Sequence, residues 1–334
     1  MYIMVYIYKK LAGGKPYYYL RVSERKGKRV IAKDIAYLGN SLDEVRKSLE
    51  KKEYKEKVRK TYNTIHNFIE SNHCLEKTKN LKLKKDDFLG KKLEEIEACK
   101  LHYNNVFKKQ DELTKKETLK NFVIEFAFNT TSIEGNTITL QQTKNLLEEG
   151  LTPENKTLRE IYDLQNTEKV FFDILRKDEE LSHELIINIH SDLMENIDAR
   201  KGYRRVDIHV LKSNFKATPA PFVKTDMDLL LKWYKQNKKK LHPFVLGIIF
   251  YHKFEKIHPF MDGNGRTGRI LLNYILTKNN YPPLVIYKKT RANFLEALRK
   301  ADKSNFTKYS REDYLDLVQF VADEMISSYW NLFL

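Results

Sequence analysis

The chain has 334 residues, 41% of them hydrophobic and 32% charged, which excludes a disordered chain and leaves a folded one long enough for two or three domains. No run approaches the roughly twenty apolar residues of a membrane span, and two cysteines, Cys74 and Cys99, provide neither a disulfide framework nor a zinc site and suit a reducing cytoplasm. Of the net charge of +16, residues 1–60 carry 17 Lys/Arg against 7 Asp/Glu, a patch that suits nucleic acid, an acidic protein or a homodimer contact, or else is a solvated lysine-rich surface.

Three β-patterned runs come first, roughly Tyr2–Tyr8, Tyr17–Ser23 and Arg29–Tyr37. They are separated by "LAGGKP" and "ERKGK", whose glycines Gly13, Gly14 and Gly27 accept positive φ. The opening "MYIMVYIYKK" has its charges after the apolar run and no cleavage site, so it reads as a strand and not a leader. Ser41 with Glu44 forms a capping box that starts a charged helix over about Leu42–Ser71. Cys74–Lys85 reads as a lysine-rich linker, and a second helix is expected over about Asp87–Lys109.

From Thr114 the pattern changes. "TKKE" is another capping box, and the mostly apolar helix behind it stops near Glu134, where Gly135 and Asn136 are good terminators. Further helices are expected from Thr139, over about Lys156–Leu175 and over His183–Asn196. "RRVDIHVLKSNFKATPAPFV" instead alternates Val206, Ile208 and Val210 with polar residues, turns at Ser213 and Asn214, and ends at Pro219 and Pro221, as a hairpin does. Helices return over about Thr225–Asn237 and Pro243–Ile257. The latter is apolar nearly all round and is expected to be buried.

The densest chemistry lies in "IHPFMDGNGRTGR", Ile257–Arg269. A buried helix delivers His258, "PFMDGNG" is a loop, and Arg266 and Arg269 lie three apart on one face of the next helix. The start of that helix exposes unpaired N–H groups, and Gly263 and Gly265 let a ligand approach the backbone. Such a turn cradles phosphates, and paired arginines add bidentate contacts. Asp262 is an oxygen ligand of the kind Mg²⁺ prefers. His258 titrates near neutrality, as a base for a hydroxyl needs. Together these parts point to phosphoryl or nucleotidyl transfer.

"HPFMDGNGR" followed by "TGR" resembles the Fic signature HxFx(D/E)GNGRxxR at every specified position. "GYRRVDIHVLKSNFKATPAPFV" resembles the flap of that family, and the likeness spans roughly Thr114–Phe306. It implies a mainly α fold: an all-helical Fic core with a β-hairpin flap at about 205–222. A small basic β module (1–40) and a helical connector (41–110) precede this Fic domain (111–334). It also implies transfer of AMP from ATP to a Tyr, Ser or Thr hydroxyl of a target protein, which includes the chain itself. His258 would be the base, Asp262 would hold Mg²⁺, and Gly263, Asn264 and Gly265 would orient the α-phosphate. Arg266 and Arg269 would meet the β- and γ-phosphates. The Doc branch of the family carries lysine at the position of Gly265 and phosphorylates; glycine here implies AMP transfer.

"TTSIEGN" resembles the family's inhibitory pattern (S/T)xxxE(G/N), with Thr130, Glu134 and Gly135 at the fixed positions. The resemblance implies an inhibitory helix at about 115–134 whose Glu134 pairs with Arg269 and takes the γ-phosphate's place. AMP removal, alone or alongside AMP transfer, is an alternative activity. A basic nucleic-acid-binding regulator with an ATP-sensing Fic domain is the alternative from another class. His252 reads as a packed histidine and His183 and His242 as helix-start residues, whereas His190 and His209 are able to approach the site but lack ligand spacing.

Overall fold

A computed structural model describes residues 3–27, 29–208, 216–307 and 309–334. Strands β1 (Ile3–Ala12), β2 (Lys15–Lys26) and β3 (Arg29–Gly39) form one antiparallel sheet in the order β1-β2-β3. Gly13 and Gly14, both at positive φ, make the two-residue turn that lets β1 run on to Ala12, beyond the expected end. Alternation decides the faces. Val5, Ile7, Tyr18 and Leu20 are buried against helices α1 (Leu42–Leu49), α2 (Lys52–Arg59) and α3 (Tyr62–Lys79), with Val45, Val58, Ile65 and Ile69 opposite them.

Two expectations for the connector are corrected. The single helix over Leu42–Ser71 is three, broken at Glu50–Lys51 and Lys60–Thr61, because its irregular apolar stripe reaches the sheet only if each segment re-aims its own buried residues. Cys74–Lys85 is not a linker throughout. Helix α3 continues to Lys79, since Cys74 and Thr78 are buried and the Thr78 hydroxyl donates to the Glu94 carbonyl at 3.3 Å. The chain then enters α4 (Lys92–Asn105), shorter than expected, with a 3₁₀ turn at Phe107–Lys109. Residues from Phe88 to Phe107 pack into the large core of the remaining chain.

That core is helical: α5 (Glu112–Ile133), α6 (Leu140–Glu149), α7 (Leu158–Arg176), α8 (His183–Leu193), α9 (Val223–Asn237), α10 (Pro243–Ile257), α11 (Asn264–Lys278), α12 (Arg291–Ala301) and α13 (Arg311–Leu332). Asp111, not Thr114, caps α5; its carboxylate accepts from the Thr114 N–H at 3.0 Å. Helices α10 and α11 are the central pair. Gly247 brings them so close that a Cβ there would lie 3.0 Å from Leu272. The middle of the expected flap hairpin, 209–215, lies outside the described residues, and its flanks, 205–208 and 216–219, carry no strand. No helix among the described residues is long and apolar enough to cross a membrane.

Candidate functional site

Helix α10 is buried on all sides, so its C-terminus can only emerge at one point, and Pro259 forbids another turn. His258 closes the helix in the left-handed conformation, φ 53°, its N–H bonded to the Phe254 carbonyl at 3.0 Å. Its Nδ1–H donates to the Glu255 carbonyl at 3.2 Å, which puts the lone pair of the neutral ring on Nε2. Burial holds the imidazole below its ordinary pKa, so the ring is neutral and basic at pH 7.

The loop behind it is braced from within. Phe260 is fully buried. The Asn264 amide accepts from the Phe260 N–H at 2.8 Å and donates to the Phe260 carbonyl at 2.9 Å. The buried Asn264 side chain thus holds the loop, and its backbone N–H lies at the start of α11, where helix N–H groups lack intrahelical acceptors. Gly263 caps α11 at φ 74°, and a Cβ there would lie 2.8 Å from the Met194 sulfur.

Both arginines are buried and engaged by carboxylates; the Arg269–Glu134 contact is the one the resemblance implied, and the Arg266–Asp163 contact was not expected. Arg266 pairs with Asp163 of α7, while its Nε is buried without an acceptor. Arg269 donates to the Glu134 carboxylate at 2.7 Å, to the Thr130 hydroxyl at 2.6 Å and to the Thr130 carbonyl at 3.0 Å. Glu134 ends α5, and Gly135, at φ 108°, turns the chain away behind it. Burial opposes ionisation of Asp262, but Arg266, Arg159 and the Gly263 N–H together hold its carboxyl below the usual range. Arg159 of α7 bonds its outer oxygen. The residues therefore fit a divalent cation only in one way. No cluster of three His/Cys/Asp/Glu stands among the described residues, so the ionised Asp262 would hold Mg²⁺ together with phosphate oxygens of a bound nucleotide.

The Fic/DOC family model matches residues 180–276, which include α8, α10, the loop and nearly all of α11. Those residues are similar to the Fic/DOC family. The chain is also 28% identical over 214 residues to the protein adenylyltransferase Fic of Drosophila ananassae, covering 61% of this chain and 40% of that one. It is 29% identical over 219 residues to the same-named protein of Aedes aegypti, covering 62% and 41%. The chain thus spans about two fifths of the length of these curated relatives. Two solved structures share the fold at 24% identity. One is a Fic domain containing signaling protein from Bacteroides thetaiotaomicron (TM-score 0.64, covering 70% of this chain and 94% of that one), and the other is Fic-1 from Caenorhabditis elegans (0.60, 72% and 71%).

The structure brings to the site Arg204, Asp163, Arg159 and Glu255, which the sequence did not single out, and His190, which the sequence offered without ligand spacing. Arg204, buried, donates to the His258 carbonyl at 2.8 Å, to the Val206 carbonyl at 3.0 Å and to the Thr218 carbonyl, tying the base of the flap region to the catalytic turn. His190 stacks on Phe260 at 3.6 Å and donates to the Asp262 carbonyl at 3.0 Å; burial pushes its pKa down to about 4, so it stays neutral. Asp163 is the buried partner of Arg266. Glu255, one turn before His258, lies against Gly268, and burial, with Glu134 adding and Arg269 opposing, pushes its carboxyl up to about 8. The i, i+4 spacing of Arg159 and Asp163 was a visible sign that α7 presents paired charges on one face; nothing in the sequence said toward what. His252 bonds Tyr314 and Asp302 at 3.0 Å each, away from the loop, and His209 lies outside the described residues.

Proposed function

We propose that this protein transfers AMP from ATP to a hydroxyl of a protein substrate, and that Glu134 restrains the transfer. One observation carries the proposal. A carboxylate, that of Glu134, already sits at the start of α11, against Gly265 and bonded to Arg269, where an anionic ligand of that turn would lie. The names of the relatives, protein adenylyltransferases, supply the reaction class.

The target's hydroxyl oxygen attacks the α-phosphorus, its proton passes to Nε2 of His258, and the bond from the α-phosphorus to the pyrophosphate oxygen breaks. The exposed N–H groups at the start of α11 stabilise the charge that develops on the α-phosphate. Mg²⁺ on Asp262 would offset the charge of the leaving pyrophosphate. Arg266 and Arg269 bind the β- and γ-phosphates once their carboxylate partners yield. Holding the competent state near 1% takes about 2.7 kcal/mol. The Arg269–Glu134 pair, with one partner 4% and the other 44% exposed, lies between exposed pairs at about 0.5 kcal/mol and buried ones at about 3–5. The two contacts to Thr130 supply the rest.

Intact mass after incubation with ATP and Mg²⁺ tests both halves of the proposal. Glu134→Gly gains adenylyl groups on itself or on an added target at least tenfold faster than wild type, and Glu134→Gly/His258→Ala gains none. Equal labelling by single and double variants removes His258 from the role of base.

The 44% exposure of Glu134 favours a second reading, AMP removal, in which its water-facing carboxylate aligns a hydrolytic water. Wild type releasing AMP from target labelled by Glu134→Gly, with Glu134→Gly itself inert in release, is the expected result.

A further inference from the structure

Outside the candidate site, the sheet has one face that no helix among the described residues covers. Tyr18, Leu20, Val5 and Ile7 point into the helices behind it, so their neighbours Tyr17, Tyr19, Tyr6 and Tyr8 stand on the other side. The register then aligns three tyrosines across three strands: Tyr8 opposite Tyr19, and Tyr19 opposite Tyr37. The rings of Tyr17 and Tyr19 both meet that of Tyr37. Tyr19 and Tyr37 have centroids 5.4 Å apart, and Tyr17 and Tyr37 6.4 Å apart. Tyr8 and Tyr37 are 37% and 52% exposed. Five tyrosines on the solvent side of a small sheet are far more aromatic surface than strand propensity alone requires there.

Cations flank this row. Residues 3–39 hold nine Lys/Arg against two Asp/Glu. Exposed Arg25 and Arg29 flank the hairpin between β2 and β3 at one end of the sheet, and exposed Lys10 and Lys15 stand at the other. Arg21 lies over the Tyr8 ring at 3.8 Å and pairs with Asp34 at 2.6 Å, the one acid paired on this face. A second copy of the chain would bring like charges together and is disfavoured. The complementary partner is an anion with flat apolar faces at regular intervals.

We propose that this tyrosine face binds single-stranded nucleic acid, with unpaired bases stacked on Tyr8, Tyr19 and Tyr37 and phosphates at the Arg25–Arg29 hairpin and at Lys10 and Lys15. A duplex hides its base faces and cannot use the rings; a strand with unpaired bases can. From Lys15 to Arg25 the sheet runs about 33 Å at roughly 3.3 Å per residue, enough for a handful of extended nucleotides. The site is independent of the proposed transferase reaction.

Fluorescence anisotropy of the full-length protein with a labelled fifteen-residue oligothymidine tests it. Binding is expected at low salt and weakens with a log–log slope near −2, as about three phosphate contacts on a single strand require. Tyr8→Ser/Tyr37→Ser, confirmed folded by circular dichroism, binds at least about thirtyfold more weakly, two lost stacks being worth on the order of 1–3 kcal/mol each, whereas Tyr37→Phe stays near wild type. Arg25→Ala/Arg29→Ala, at exposed strand ends, lowers the salt slope. No binding at low salt overturns the proposal. So does a duplex bound as tightly as the single strand, or a tyrosine double variant that binds like wild type. Displacement of the oligonucleotide by polyglutamate at equal charge also overturns it, and assigns the face to acidic proteins.

Discussion

Glu134 occupies the space that a side chain on Gly265 would fill: a Cβ at residue 265 would collide with the Glu134 carboxylate, and the next atom it would meet is Arg269 Nη1 at 3.1 Å. The Glu134 carboxylate and Gly265 are thus sterically coupled, although 131 positions separate them in the sequence. A double-mutant cycle reads that coupling. Gly265→Ala is expected to lower stability by about 1 kcal/mol or more in wild type, in the range of overpacked sites, and by much less in a Glu134→Gly background. Denaturant midpoints of the four proteins check it; equal losses in both backgrounds would show that the two residues do not touch.

Thr130 gives Arg269 two of its acceptors, the hydroxyl at 2.6 Å and the carbonyl at 3.0 Å. Thr130→Val removes only the first. A hydrogen bond to a charged group is worth about 1.5–3 kcal/mol, so this variant is expected to label about tenfold faster than wild type yet slower than Glu134→Gly. Initial rates of AMP incorporation measure it.

Arg159 covers the outer oxygen of Asp262, and Asp163, one turn further along α7, holds Arg266. Removing the first is expected to free a carboxylate. Arg159→Ala should lower the Mg²⁺ concentration for half-maximal ATP binding, read by calorimetry. Asp163→Ala leaves a buried guanidinium without its carboxylate and is expected to lower Tm by several degrees, on the order of 3 kcal/mol, with more than the wild-type gain in Tm when ATP is added.

His258 acts as a base only when neutral, and burial lowers its pKa from the ordinary 6.5. The rate of Glu134→Gly is therefore expected to be flat from neutral pH down to below 6.5 and to fall only as pH drops through the lowered value. A midpoint above 6.5 in the pH–rate profile would contradict the burial of the ring.

Glu255 gives the opposite sign, and in stability. Its carboxyl rises from 4.5 to about 8 on folding. Between those values the folded chain holds a proton that the unfolded chain has released, so stability is full below about pH 4.5 and is lost as pH rises through about 8. Glu255→Gln should flatten the fall in Tm over that window. Glu134→Gln should flatten it in part, because the Glu134 charge raises the Glu255 value.

The local features of this protein were legible in its sequence, since each is set by residues a few positions apart. The apolar run of α10 extends from Pro243 to Ile257 as its periodicity predicts. Thr139 caps α6 with a full capping box. The His258–Arg269 spacing marks the anion turn, and the sheet's three strands follow their glycines. The end points of the connector helices were not legible, because a stripe as irregular as that of Leu42–Ser71 fits several registers, and only contact with the sheet selects one. Nor, apart from the Glu134–Arg269 pair that the resemblance implied, were the partners of the buried charges. The pairing of Asp163 with Arg266, of Arg204 with the His258 carbonyl and of Arg159 with Asp262 spans from 54 to 103 positions. Sequence determined which groups can carry charge and which turns can bind an anion. Tertiary structure alone decided which charges face one another, because burial makes an unpaired charge so costly that the packing of α5, α7 and α11 had to bring each one an opposite.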